Sequence, residues 1–329
     1  MNAKLQQKLS LFTENAQEVK SAFTWHNPMT KRLAALLYAL EGRRVNCDAI
    51  RDAQALMKNN TGAFSAFRGN MALCLAALLS LRPGRERLFA DTLTVYDMLK
   101  NTKLYRSDFL AVAAYQIAAH GDSARYGQTV ERTRAFYDGM KADHRFLTGQ
   151  DDYIFAAMLA LSDIDVPDGT ARIERIFARL KPEFWTGNSV QMLAQVLVLG
   201  GNDDKTPDRV LEMRDAFRAQ GIKLDKMYTL PSLGVLALLP ADTETLAAEI
   251  REAQGFLRGQ KGFGALSVDM QEILLVSASA VASAYAEDPQ DNVLTASLAT
   301  SIANIMLAQE AAMIAAISAS TAAAAASSN

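Results

Sequence analysis

Residues 99–121, LKNTKLYRSDFLAVAAYQIAAHG, decide the fold. Leu99-Lys100 ends a polar segment with a one-sided apolar stripe of Leu93, Tyr96 and Leu99. Its lysine falls in a last helical turn, where a cation complements the helix dipole. A short loop, Tyr105-Arg106-Ser107-Asp108, then joins an aromatic to polar groups. From Leu110 to Ala119 nearly every residue is apolar, as in an inner helix covered on several sides. His120-Gly121 closes that helix, with the imidazole near its C-terminus and glycine at its exit. The stretch reads as the end of an outer helix, a loop and an inner helix.

The same order recurs along the chain. Inner segments run Leu33–Leu40, Leu73–Leu81, Ile154–Leu161, Val190–Leu199 and Leu233–Leu239. Outer segments end at Met57-Lys58, Met140-Lys141, Leu180-Lys181, Phe217-Arg218 and Leu257-Arg258. The period is roughly 40 residues, the size of a helix-turn-helix repeat of the HEAT or TPR kind. Start signals fit this parsing: Thr206-Pro207-Asp208, Asp242-Thr243, and Asp91 or Thr92. No alternating strand pattern of useful length occurs. The expected fold is all-α, an α-solenoid of about six or seven stacked antiparallel helical hairpins.

Composition narrows the function classes. Of 329 residues 50% are apolar and 21% charged, with a formal net charge of -2. That is too charged for a polytopic membrane protein and too apolar for a disordered chain. It also lacks the surplus of Lys and Arg that phosphate contacts demand, so nucleic acid is disfavoured. The charge is uneven. No Lys or Arg follows Lys261, while Asp269, Glu272, Glu287, Asp288, Asp291 and Glu310 do.

Two apolar stretches lie in this acidic end. Ile273–Ala286 is too short to span a bilayer core of about 30 Å. Val293–Ile317 is interrupted by Asn304, Gln309 and Glu310. Both read as helices packed on protein, so no membrane span is expected. The organisation expected is a repeat domain over 1–290 and an apolar C-terminal helix over 291–318. That helix would pack on the repeats or on a second subunit, giving a possible homo-oligomer. A disordered Ala/Ser tail would follow over 319–329.

Cys47 and Cys74 form neither a metal-ligand spacing nor a CxxC pair. Glu14 and Glu18 interrupt any signal-peptide core, so a cytoplasmic setting is expected.

Chemical motifs are few. His26, His120 and His144 stand alone, without HxxxH or HExxH spacing. Asp163, Asp165 and Asp168-Gly169 place no carboxylate where a calcium loop needs three. Gly259, Gly262 and Gly264 follow a helix and match no phosphate-binding spacing. Asp151-Asp152 precede an inner helix, where carboxylates cap N-termini. No cofactor, metal or catalytic residue is expected.

The loops before the inner helices share one phase of the repeat and carry aromatics, Arg and Asn. The candidate partner-binding edge is Trp25, His26, Arg68, Asn70, Arg106, Asp108, Asp152, Tyr153, Trp185, Asn188, Asp225 and Lys226. Such a composition suits recognition. The competing reading makes the aromatics wedges between hairpins and the polar groups helix caps.

Several runs resemble a known family. They are Lys31–Gly42 (KRLAALLYALEG), Arg106-Ser107-Asp108, Ile222–Met227 (IKLDKM) and Gln260–Leu266 (QKGFGAL), with the Ala/Ser-rich end. Together they resemble, over nearly the whole chain, an uncharacterised bacterial domain-of-unknown-function family, family 4003. The resemblance implies a bacterial source and one full-length module; it carries no activity, cofactor or site residue.

The function expected is a helical-repeat binding or scaffold protein for a protein or peptide partner, without catalysis. The alternative is an enzyme on a closed helical toroid using acidic residues near Asp108, Asp151 and Asp152.

Overall fold

Helical spacing of apolar residues, broken by caps and left-handed glycines, folds the described residues into fourteen α-helices, with no strand among them. The structure is a computed structural model that describes residues 1–201, 203–226 and 228–286. The odd-numbered helices are α1 (Ala3–Ala22), α3 (Cys47–Asn60), α5 (Arg85–Asn101), α7 (Tyr126–Asp143), α9 (Val166–Leu180), α11 (Thr206–Ala219) and α13 (Thr243–Arg258). The even-numbered ones are α2 (Pro28–Leu40), α4 (Ala72–Ser80), α6 (Asp108–His120), α8 (Asp152–Leu161), α10 (Gly187–Gly200), α12 (Leu230–Ala237) and α14 (Met270–Ala286). The expected helix over 291–318 and tail over 319–329 lie outside the described residues.

Local chemistry sets the boundaries. The Ser107 hydroxyl accepts the Leu110 N–H at 3.1 Å, and Asp242 accepts the Thr245 N–H at 2.8 Å. Each satisfies a donor that a helix start leaves unpaired. Two start signals read differently in the structure. Gly84, at φ 65, opens α5 early, so Asp91 and Thr92 sit inside that helix. Thr206 is the first residue of α11, and the cap position falls to Lys205, whose side chain makes no cap bond.

Even-numbered helices are buried almost all round: α4 from Leu73 to Leu79, α6 from Leu110 to Ala118. Odd-numbered helices bury one stripe, as α13 does with Leu246, Ile250, Ala253 and Leu257. The residues preceding the terminal cations, Met57, Leu99, Met140, Leu180, Phe217 and Leu257, are all buried.

The described residues form two compact units. One comprises Asn15–Tyr38 and Arg44–Thr170. Within it α3 packs on α4, α5 on α6 and α7 on α8, while α6 also packs on α8 and α5 on α7. Phe67 wedges edge-on against Phe89 and Tyr96, with centroids 5.4 and 5.0 Å away. The other unit comprises Met1–Glu14, Ala39–Arg43 and residues 171–286. There α10 packs on α12, α12 on α14, and α13 on α14. The chain's start joins this unit: Met1 pairs with Glu252, and the Phe12 ring meets that of Phe263 at 5.4 Å.

One interaction recurs in both units. A cation on an odd-numbered helix donates to carbonyls at the end of the following even-numbered helix, where the dipole leaves acceptors unpaired. Lys8 reaches Leu40 O at 2.9 Å. Arg132 reaches the carbonyls of Ala160, Ser162 and Ile164 at 3.1, 3.0 and 2.7 Å. Arg172 reaches Gly201 O, and Arg209 reaches Leu239 O at 2.9 Å and Ala241 O.

Candidate functional site: the loops before the even-numbered helices

Most of these loops carry two large apolar residues with opposite fates. Phe23, Phe67, Leu104, Phe184 and Phe263 are buried. Their loop neighbours Trp25, Phe64, Tyr105, Trp185 and Leu266 are exposed, as is Phe146 in the loop before α8. The loops at the other ends of the helices hold no exposed large apolar residue among the described residues.

In the unit of Asn15–Tyr38 and Arg44–Thr170, several expected residues come together. Asp108 Oδ2 accepts the Asn70 N–H at 2.9 Å, and Arg106 donates to Phe64 O at 3.4 Å. The buried Tyr153 hydroxyl accepts the Tyr105 N–H at 3.2 Å, and its ring meets Tyr137 edge-on at 5.0 Å. Asn70, Arg106, Asp108 and Tyr153 therefore tie the loop bearing Phe64 to the loop bearing Tyr105 and to the start of α8. Gly69 permits the approach, because a Cβ there would lie 2.1 Å from Asp108 Oδ1.

The electrostatics follow burial. Burial raises the Asp108 carboxyl above its ordinary range, against the opposing backbone N–H groups of Asn70 and Met71. Burial also pushes the Tyr153 phenol up to about 12. His26 is held below its ordinary value by burial and then by Lys31, and its ring lies 3.3 Å from the Gln54 amide.

The other expected residues of this unit take local roles. Arg68 turns to the end of α3, donating to Thr61 Oγ1 at 3.2 Å and to the carbonyls of Lys58 and Thr61. Asp152, the first residue of α8, is buried and accepts the N–H of Gly149, three residues earlier, at 2.8 Å, holding the loop to the helix start. Trp25 projects into solvent.

In the other unit Trp185 is exposed and Asn188 lies in the first turn of α10. Arg218 donates to Asp225 at 2.7 Å, and Lys226 is exposed. Phe64, Phe146 and Leu266 were not singled out in the sequence. Their signal was present: 25, 64, 105, 146 and 185 follow one another at nearly the repeat spacing.

Two clefts lie at the opposite kind of loop. One of 440 Å³ is lined by Arg172, Arg175, Arg179, Asp203, Asp204 and Asp208, with Arg175–Asp204 and Arg179–Asp208 already paired. The other, of 240 Å³, is lined by His120, Arg125 and Arg132. Among the described residues no group of three or more His, Cys, Asp or Glu is placed to hold a metal ion, and no helix is long and apolar enough to cross a membrane.

Known proteins supply a family. A family profile described as "Protein of unknown function (DUF4003)" matches residues 15–311. The chain is similar to the uncharacterized protein YeaA of Bacillus subtilis (strain 168), at 24% identity over 97% of this chain and 96% of that protein. No solved structure matches it. With its two units and all but the ends of the chain covered by that profile, the protein belongs to the DUF4003 family.

Proposed function

We propose that the chain is a stack of helical hairpins of the HEAT or TPR kind, acting in the cytoplasm as a binding or scaffold protein for a protein or peptide partner. The observation that carries this reading is that the most exposed large apolar side chains, Trp25, Phe64, Tyr105, Phe146, Trp185 and Leu266, all stand in one class of loop. Folding gains nothing from such side chains, whereas an interface gains most from aromatic anchors that it desolvates.

The loops of the unit containing 171–286 suit a protein partner best. Trp185 and Leu266 stand exposed there. Lys181, Lys223 and Lys226 offer positive charge for register and specificity there. The enzyme alternative draws less support, since Asp108 is committed to the Asn70 amide of the preceding hairpin's loop and Asp152 to the Gly149 amide of its own.

Affinity purification from the native host, comparing the full chain with a Trp185→Ala/Leu266→Ala variant, tests this. A partner retained in fixed proportion by the first and lost with the second is the expected result. Identical protein sets from both overturn the reading. The proposed oligomeric role of 291–318 is tested by solution mass with and without residues 291–329.

A further inference from the structure

The unit of Asn15–Tyr38 and Arg44–Thr170 has a second surface, independent of the Trp185 loops. Trp25, Phe64 and Phe146 are 99, 97 and 97% exposed, and Tyr105 is 70% exposed. Each stands at the tip of a loop leading from an odd- to an even-numbered helix. Bonds join these loops at one end of the unit. Arg106 holds Phe64 O, Asp108 holds Asn70, and Tyr153 holds Tyr105. Cys74, in the first turn of α4, reaches Thr30 O near the start of α2 at 3.7 Å.

Charge also differs between the two ends. Loops 102–107 and 144–151 carry exposed Lys103, Arg106 and Arg145, with Asp151 as their acidic residue. The loops at the far end, 44–46, 81–84, 121–125 and 162–165, carry Arg44, Arg82 and Arg125 against Asp122, Asp163 and Asp165 and so balance. The apolar tips and the excess of positive charge therefore share one end.

Neither of the two clefts described above lies among these tips. A folded partner would need a matching pocket at each tip. A lipid headgroup layer accepts aromatic knobs wherever they fall, and favours aromatic rings at its interfacial depth. Anionic headgroups draw Lys and Arg to the same level. Several weak anchors are needed because one alone holds only marginally.

We propose that this end of the unit docks peripherally on an anionic lipid surface. Trp25, Phe64, Tyr105 and Phe146 insert at headgroup depth, while Lys103, Arg106 and Arg145 face the phosphates.

The test uses the full-length chain sedimented with vesicles of phosphatidylcholine containing about one-third phosphatidylglycerol, and with pure phosphatidylcholine vesicles. Binding should need the anionic lipid and weaken as salt shortens the Debye length from about 10 Å at 0.1 M. A Trp25→Ala/Phe64→Ala/Tyr105→Ala/Phe146→Ala variant should lose roughly tenfold or more of it, the combined effect expected of linked weak anchors. Its circular dichroism and melting should stay unchanged, because the removed groups are solvent-exposed.

The sequence holds two tryptophans. A Trp185→Phe variant therefore reports Trp25 alone, whose emission should shift to the blue on anionic vesicles. No vesicle binding by the full chain, undiminished binding by the quadruple variant, or an unshifted Trp25 each overturns the proposal. A protein partner that needs these four tips, in a chain that ignores vesicles, also overturns it. Loss of the Trp185-dependent partner with vesicle binding intact would count against the scaffold reading only.

Discussion

The Asp108 carboxylate, at the first residue of α6, accepts the backbone N–H of Asn70 at 2.9 Å, thirty-eight residues earlier in the chain. A helix start thereby secures the loop of the preceding hairpin. Gly69 faces the same carboxylate, and a Cβ there would meet its carbon at 2.7 Å as well as Oδ1 at 2.1 Å.

Gly69→Ala should therefore destabilise the protein by about 1–3 kcal/mol, the usual cost of forcing atoms into a filled site. Asp108→Ala should also destabilise, by about 1–2 kcal/mol, through the lost amide partner. The double variant should cost less than the two single costs combined, because each removes what the other opposes. Urea denaturation of the four proteins measures the coupling; strict additivity would show that the contact is not the source.

The carboxyl of Asp108 predicts a pH dependence of definite sign. Burial raises it above its reference value of 3.8, so the folded state holds the proton more tightly than the unfolded chain. This group's contribution is fully present below 3.8 and declines as pH rises through the raised value. Asp108→Asn should abolish that decline. Asp242 acts in the opposite sense, since bonds from the backbone and hydroxyl of Thr245 lower its carboxyl. Its contribution is lost as pH falls through that lowered value. Denaturation midpoints measured across the acid range should show the two slopes separately, in Asp108→Asn and Asp242→Asn variants.

Arg132 satisfies three carbonyls at the exit of α8. Arg132→Met keeps much of the side-chain volume and removes the donors, and should cost about 2–3 kcal/mol. Arg132→Lys should recover part of the loss, since one ammonium can reach some of these acceptors. Equal stability of the two variants would mean that the packed stem, not the guanidinium, matters there.

Gly234 lets α12 lie close against α10. A Cβ at that position would meet Leu193 Cδ1 at 2.5 Å and Val196 Cγ1 at 3.3 Å. Gly234→Ala should lose about 1–3 kcal/mol by overpacking, despite the better helix propensity of alanine. Gly255, on α13, has nothing within 4 Å, and Gly255→Ala should gain about 0.5–1 kcal/mol. Thermal unfolding of the two alanine variants should move in opposite directions.

Helix identity was legible because burial imposes a period. The run Leu110–Ala119 could only be an inner helix, and α6 spans it. The cations after Leu99 and Met140 likewise marked helix ends, and those apolar residues are buried. Helix starts were less legible. Asp91 has the chemistry of a cap, yet a left-handed glycine seven residues earlier opens α5. For the candidate surface, Trp25 and Trp185 were visible as loop aromatics. Arg68, Asp108 and Asp152 read as exposed recognition groups on chemistry alone, but Arg68 and Asp152 bind nearby backbone and Asp108 binds the Asn70 amide of the preceding loop.

Residue types and their spacing determined the helices, their alternation between buried and one-sided, and the phase of the loops. Which apolar residue of a loop turns inward was a tertiary decision. Phe64 and Phe67 are the same side chain three positions apart, one 97% exposed and one 1% exposed. Nothing intrinsic separates them. Phe67 is buried because Phe89 and Tyr96 of the next helix supply rings against it, whereas Phe64 has no such ring contact and remains at the surface.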